Sequence, residues 1–376
     1  MKELNVYADE FQTTFANVGD MMRFLTERGK ASKWIRKPTK SLRLIPLEKE
    51  LEQMGDVPEE ILEDTDRNTQ LVLKIKGDLY PIRKCAIRTI LSRAGVSGTA
   101  LRKLKKPTYA RVVNYCLQVA SGDSLIKVSD GKISAVHGGD AHDYCILDMK
   151  TIFETTMKYL HKEFKGSTYL EGSGMYDHFI VSAMWKLGGK PELLDSYQEA
   201  LNDHGISCRI EAPVLRLVTS DVAASGANLY PMLLCDSGNK TICLGSPIKL
   251  SHDKGATIED FERNLEQLYA RYEATIKNIS KLMDIEIANP VNCMRLIMKK
   301  LKIKQKISNE TVELFQAQYG TNPCTAHDIY FAMNEASFIA ACEGMQGEYI
   351  LNLEEDIAKA LSFDWAEYDV SGMIKF

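Results

Sequence analysis

The segment His137-Gly-Gly-Asp140-Ala-His142-Asp143-Tyr144-Cys145 is the densest cluster of metal-capable side chains in the chain. Imidazole, carboxylate and thiolate groups hold divalent ions, and the two glycines would let the loop fold around one. His137, Asp140 and His142 would then be the ligands of a metal-dependent hydrolase. The spacing matches no zinc or two-metal motif, and no residue elsewhere is placed by sequence as the missing ligand. A polar loop following a hairpin is the plainer reading. Gly122-Asp123-Ser124-Leu125 spells the nucleophile block of a GDSL-type hydrolase. That chemistry needs a histidine base, normally three residues after an aspartate, and none of the seven histidines has Asp at that position. Ser124 instead opens an alternating strand, so the motif lacks its context. No glycine-rich phosphate loop, H-E-x-x-H or EF-hand pattern occurs. Nothing here names a reaction, and no cofactor is expected.

Charge is more informative. The 44 residues between Asp78 and Asp123 contain no Asp or Glu and carry nine cations: Arg83, Lys84, Arg88, Arg93, Arg102, Lys103, Lys105, Lys106 and Arg111. The whole chain has 51 Asp+Glu against 47 Lys+Arg, so this positive charge is segregated, as for a polyanionic partner. A second acid-free cluster, Arg295, Lys299, Lys300, Lys302, Lys304 and Lys306, interleaves with Met294, Leu296, Ile297, Leu301 and Ile303 on a helix expected over 292–306. Alone, it reads as an amphipathic helix with a Lys-rich polar face. If both clusters share a face they would track a phosphate backbone, with Arg93, Arg102, Lys103, Lys105, Lys106 and Arg111 in front and Lys299, Lys300, Lys302 and Lys304 behind. Tyr109 and Tyr115 are the nearest aromatics that could stack on unpaired bases, and core packing is the alternative for each. From Glu343 to Asp369 the chain carries eight acids and only Lys359. This reads as a solvated terminal helix with a docking Trp365, or as an acidic segment that contacts the 83–111 region or another subunit.

These residues need elements to position them. The first 80 residues read as an irregular segment passing from basic (Arg28 to Lys40) to acidic (Glu48 to Asp66), with VPEEILEDTD a turn or short helix and LVLKIKG (71–77) a strand. CAIRTILSRAG reads as a helix capped by its glycine, and Pro107 opens a second with Val112, Val113, Cys116 and Val119 on one face. Asp130-Gly131 between two alternating runs is a strong hairpin signal. Asp148 caps a helix over 149–164, Pro191 to Gly205 frames another, and YDHFIVSAMWKL fits either a buried strand or a helix. RIEAPVLRLVTSD, PMLLCD and TICLGSPIKL read as strands, the last two joined by a Ser237-Gly-Asn-Lys240 turn. From Thr257 the pattern is helical, with a capping-box start and a stripe of Phe261, Leu265, Leu268, Tyr272, Ile276 and Ile279. Pro290, Ser308 and Thr325 open the next helices, the last running to about Ala341. The expectation is α+β: a mixed-sheet core with hairpins over 81–250, a helical part over 251–376 with a soft boundary, and 1–80 irregular.

No stretch reaches the length a membrane span needs, no secretory signal is expected, and nine scattered cysteines without a C-x-x-C pair suit reduced thiols. The expected compartment is the cytoplasm.

Over 135–342 the order of features resembles a family of phage- and plasmid-borne proteins of unknown function. The points of contact are Asp143-Tyr144-Cys-Ile-Leu-Asp148, LRLVTSDVAASGANLYPML, Pro247-Ile-Lys-Leu-Ser-His252, and Thr325-Ala-His-Asp-Ile-Tyr330 with Asn334 and Glu335. The chain departs from the family pattern at His327, where an aromatic is usual. The resemblance implies a mobile-element origin, with a role toward incoming DNA or host defence. The function expected is therefore non-enzymatic nucleic-acid binding, single-stranded DNA binding or annealing, possible as a homo-oligomer and without a membrane partner. The alternatives are an inhibitor that binds a host defence protein, and the metal-dependent hydrolase.

Overall fold

In the computed structural model, which describes residues 5–49, 54–140, 143–206, 210–235, 240–345, 347–372 and 374, Asp130-Gly131 forms the turn its residue types favour. Their φ angles are +50° and +74°, and Ser129 pairs with Lys132 across the turn. The strands Asp123–Ser129 and Lys132–Gly138 so joined form a three-stranded sheet with Ser32–Pro38. A second sheet of three, Leu42–Pro46, Leu71–Ile75 and Asp78–Pro81, lies against the helix Lys106–Val119, and the helix Lys84–Arg93 packs on Lys132–Gly138. These elements share one core, including Leu42, Leu73, Ile90, Val113, Leu117, Ile126 and Val136.

The remaining elements build a larger unit. Its antiparallel sheet runs Gln12–Phe15, Gly174–Asp177, Val181–Lys186, Ile210–Thr219, Ala227–Cys235 and Lys240–Cys243, and Ile248–Leu250 and Thr168–Tyr169 pair at its margins. Along Ile210–Thr219 successive side chains alternate between two apolar layers. Leu215 and Leu217 face the main helical core, while Val214 and Val218 face a smaller layer shared with Leu351 and Ala358 of the helix Glu348–Ala358. A strand covered on both sides has no solvated face, which is why PMLLC reads as a continuous apolar run, and the one charge in LRLVT, Arg216, is buried and paired with Glu354. YDHFIVSAMWKL resolves as strands for the same reason. The fold is α+β, with the helices from Ile258 onward on the large sheet.

Several elements differ from the sequence expectation. The described residues of 1–80 are not irregular: they contain the strands already named and the helices Val18–Lys30 and Glu59–Asn68. Packing also ignores the divisions 1–80, 81–250 and 251–376. The small unit draws on residues 42–136, while Phe15, Met21 and Phe24 join the large core. The helix Lys106–Val119 buries Tyr109, Ala110, Val113 and Leu117, and Val119 is 84 % exposed. Its rotation is fixed by Asn114, whose amide accepts from the Leu44 N–H at 2.7 Å and donates to the Leu44 carbonyl at 2.8 Å. The helix expected over 292–306 is two, Pro290–Lys300 and Gln305–Tyr319, with Lys302 at φ +59° between them. Leu301 and Ile303 are both buried, and that two-residue spacing suits a turn better than one helical face. The capping boxes at Thr257 and Thr325 form as expected. The Ser237-Gly-Asn-Lys240 turn falls at 237–239 outside the described residues.

A buried ionic cluster ties the N-terminal segment to the small unit. The Lys132 ammonium, fully buried, donates to Asp9 at 2.7 Å and Asp64 at 2.6 Å. Arg83, also fully buried, pairs with Asp130 at 3.1 Å and donates to the Tyr7 carbonyl at 2.9 Å. Arg28 meets the same Asp130 carboxylate at 2.5 Å. Ions taken from water persist only when so paired.

Candidate functional site

A cleft of about 660 Å³ lies where the two units meet. Its small-unit wall is the face of Lys84–Arg93 bearing Arg88, Ser92 and Arg93, together with His137; its large-unit wall is Ala223–Gly226 with Ser251 and His252, and Asp143 and Tyr144 connect the two. Three of the four segments that carry the family resemblance, around 143–148, 220–226 and 247–252, thus converge on one site. The fourth does not: His327 is buried against Tyr197, whose hydroxyl is 2.6 Å from its Nε2.

The floor is a stack of parallel rings. Tyr144 lies between His137 (centroids 3.7 Å apart, 4° between planes) and His252 (5.3 Å, 5°), with Trp34 tilted beside it. Backbone contacts fix the histidines. The Cys145 N–H donates to the His252 carbonyl at 2.7 Å, and His252 Nδ1 lies 3.2 Å from the Cys145 carbonyl. A carbonyl only accepts, so the proton sits on Nδ1 and Nε2 presents a lone pair. That Nε2 and the Tyr144 hydroxyl are buried without a hydrogen-bond partner among the described residues. His137 Nε2 donates to the Asp221 carbonyl at 3.0 Å. Burial, helped by His252 and Lys127, pulls His137 down to about 3, and burial lowers His252 too, so both rings are neutral at pH 7.

Close approach around the cleft needs glycine. A Cβ at Gly138 would collide with the Asp143 carboxylate, one at Gly139 would stand 2.8 Å from the Asp123 carbonyl carbon, and one at Gly226 would strike the Leu250 carbonyl. Gly138 and Gly139 of the His137–Cys145 segment thus allow the close approach of Asp143 and Asp123. Among the described residues no group of three His, Cys, Asp or Glu could hold a metal. His137 is spent on the ring stack and Asp221, and His142 lies outside the described residues. Ser124 is fully buried, 2.8 Å from the Thr39 hydroxyl, and accepts from Arg93 Nε at 3.3 Å, which removes it as a nucleophile.

The cations of the 83–111 run divide into two groups. Arg83 is internal, Lys84 pairs with Glu10, Arg88 with Glu348, and Arg93 is held by Thr39, Ser124 and the Ser121 carbonyl. Arg102, Lys103, Lys105 and Arg111 are exposed and make no ion pair among the described residues. Lys106 is half-buried over the ring of Tyr109, which burial assigns to the core, whereas Tyr115 is 63 % exposed. Tyr115 and Arg111 line a shallow groove with Arg43 and Gln118. Lys299, Lys300, Lys302 and Lys304 stand on the helical core of the large unit, a different core from that beneath Arg102 to Arg111. Lys304 lies over the Tyr349 ring at 4.5 Å, and Lys306 pairs with Glu343 at 2.5 Å. Trp365 docks, fully buried, with Nε1 donating to the Ala360 carbonyl at 3.0 Å.

Net charge follows the two units. Residues 32–138 hold 20 Lys/Arg against 12 Asp/Glu, a balance of +8, and nine of those acids fall between Glu48 and Asp66. The rest of the chain holds 27 against 39, a balance of −12. Fold and site together define an α+β protein of two units, with a cleft at their junction and a cationic small unit. No protein-family model, curated protein or solved structure matches the chain. No helix of the described residues is long and apolar enough to cross a membrane, and no disulfide joins the described cysteines.

Sequence reasoning missed the cleft itself. Arg88 was lost within the basic run, and Trp34, Ser225 and Ser251 carried no motif. Tyr144 and His252 were visible only as parts of the family resemblance, because residues 108 positions apart betray no contact in a single sequence.

Proposed function

We propose that this chain binds nucleic acid, single-stranded DNA in particular, through its small unit and without catalysing a reaction. One observation carries the reading: Arg102, Lys103, Lys105 and Arg111 stand exposed and, among the described residues, without carboxylate partners on a unit of balance +8 that also exposes the ring of Tyr115. Cations without a carboxylate partner release counterions when they meet a phosphate. An exposed tyrosine offers a face to any base, and that favours unpaired strands. The resemblance to phage- and plasmid-borne proteins suits such a role on a mobile element, where annealing by a homo-oligomer is one form it could take.

The test is anisotropy with labelled single-stranded DNA, duplex DNA and RNA at two ionic strengths, beside a sizing column. Affinity for single strands is expected to lead and to fall steeply with salt. Absence of a shift with any polynucleotide at low salt would sink the reading. The −12 balance of the large unit supports a second reading, an inhibitor of a host defence protein whose acidic surface mimics nucleic acid. In that case a protein partner is retained and free DNA is not.

A further inference from the structure

We propose that the cleft between the units is a binding site for a nucleoside phosphate, with the phosphate toward Arg88 and Arg93 and the base edge toward His252 and Tyr144. This is a second site, and it does not rest on the exposed cations of the small unit.

The argument begins with the two polar atoms left unsatisfied. His252 is only 7 % exposed and lines the cleft, and its Nε2 lone pair has no partner among the described residues; the hydroxyl of Tyr144, whose ring stacks on it at 5.3 Å, is likewise buried and unpaired there. Each such atom is destabilising unless something bonds it. An acceptor and a donor side by side complement a nucleobase edge, where an N–H lies next to a carbonyl or ring nitrogen. An apolar ligand would leave both unpaired, and a simple anion would bring no donor to the lone pair.

The opposite wall supplies the charge. Arg88 and Arg93 lie five positions apart on one helix and line the cleft with Ser92, and Ser225 and Ser251 add hydroxyls across it; Arg88 is held by Glu348, which a phosphate would displace. Arg93 is already oriented by Thr39, Ser124 and the Ser121 carbonyl, which lowers the ordering cost of engaging a phosphate. Asp143 and Asp253 line the cleft as well. They would repel a phosphate near them, and their acceptors suit ribose hydroxyls, so the ligand carries charge at one end and sugar hydroxyls at the other. A volume of about 660 Å³ is within the range of small-ligand pockets.

The ligand could be a free nucleotide or one nucleotide of a strand, and one experiment separates the sources. The full chain is titrated calorimetrically with AMP, GMP, CMP and UMP, and separately with a labelled oligothymidylate. Wild type is compared with Arg88→Gln, His252→Phe and the triple reversal Arg102→Glu, Lys103→Glu, Lys105→Glu. Arg88 is half-exposed, so its substitution keeps the fold; phenylalanine keeps a ring in the stack and removes the lone pair. Loss of mononucleotide affinity by about tenfold in both single variants, with the triple reversal unchanged, assigns the site to free nucleotides. A similar loss confined to the oligonucleotide assigns it to a unit of a strand. Unchanged affinity for every probe in both single variants, or no saturable binding of any probe by wild type, overturns the proposal. Loss of oligonucleotide binding in the triple reversal alone bears only on the small-unit reading.

Discussion

Glu348, the first residue of the acidic C-terminal helix, holds the Arg88 guanidinium with both carboxylate oxygens, at 2.7 and 2.8 Å, on the lip of the inter-unit cleft. The pair is partly solvated, with side-chain exposures of 49 % for Arg88 and 27 % for Glu348, so it contributes at most about 1 kcal/mol to stability. It also occupies the Arg88 donors that a phosphate would take. Glu348→Gln should leave the urea midpoint almost unchanged while tightening mononucleotide binding severalfold, as read by calorimetry.

The two tyrosines of the helix Lys106–Val119 should separate packing from binding. Tyr109→Ala removes a buried ring and should cost about 3–5 kcal/mol in chemical unfolding. Tyr115→Ala removes an exposed one and should stay within about 0.5 kcal/mol. For single-stranded DNA the order reverses, with Tyr115→Ala costing about 1–3 kcal/mol of affinity. Equal DNA affinity of Tyr115→Ala and wild type would remove the stacking role.

Lys132→Met should be far more damaging than any surface change. It strands the Asp9 and Asp64 carboxylates in the interior at an expected cost of about 3–5 kcal/mol. Adding Asp9→Asn and Asp64→Asn should recover much of that loss, measured as urea midpoints across the series. No recovery would mean that the methylene packing of Lys132, and not its charge, is what matters.

Acid should unfold the protein through its buried histidines. Burial holds His137 at about 3 and His327 at about 4, and lowers His178 and His252 in the same direction. A folded-state value below the unfolded one means that the unfolded chain binds more protons in between. Stability is therefore full above about pH 6.5 and falls as pH drops toward 3, by up to about 1.4 kcal/mol per unit for each such group. His137→Phe should flatten the slope of the urea midpoint between pH 6 and about 4; an unchanged slope would show that His137 does not titrate on unfolding.

Local signals were the most legible. Asp130-Gly131, the Thr257 and Thr325 caps and the Asp148 cap each involve residues within four positions of one another, so their chemistry is complete in the sequence. The orientation of Lys106–Val119 was not legible, because it depends on Asn114 reaching Leu44, 70 residues earlier. Among the cations, composition marked the small unit as basic, yet Arg83 reads like its neighbours until Asp130 and Tyr7 are seen around it. The ring stack was invisible for the same reason: Trp34, His137, Tyr144 and His252 meet only in three dimensions.

The partner that Lys132 takes at Asp9 sets a timetable for biosynthesis. The two residues are 123 positions apart, so at roughly 5–20 residues per second Asp9 emerges some 6–25 s before its counter-ion has been translated. Through that interval the N-terminal segment has nowhere to dock and is open to proteases and chaperones.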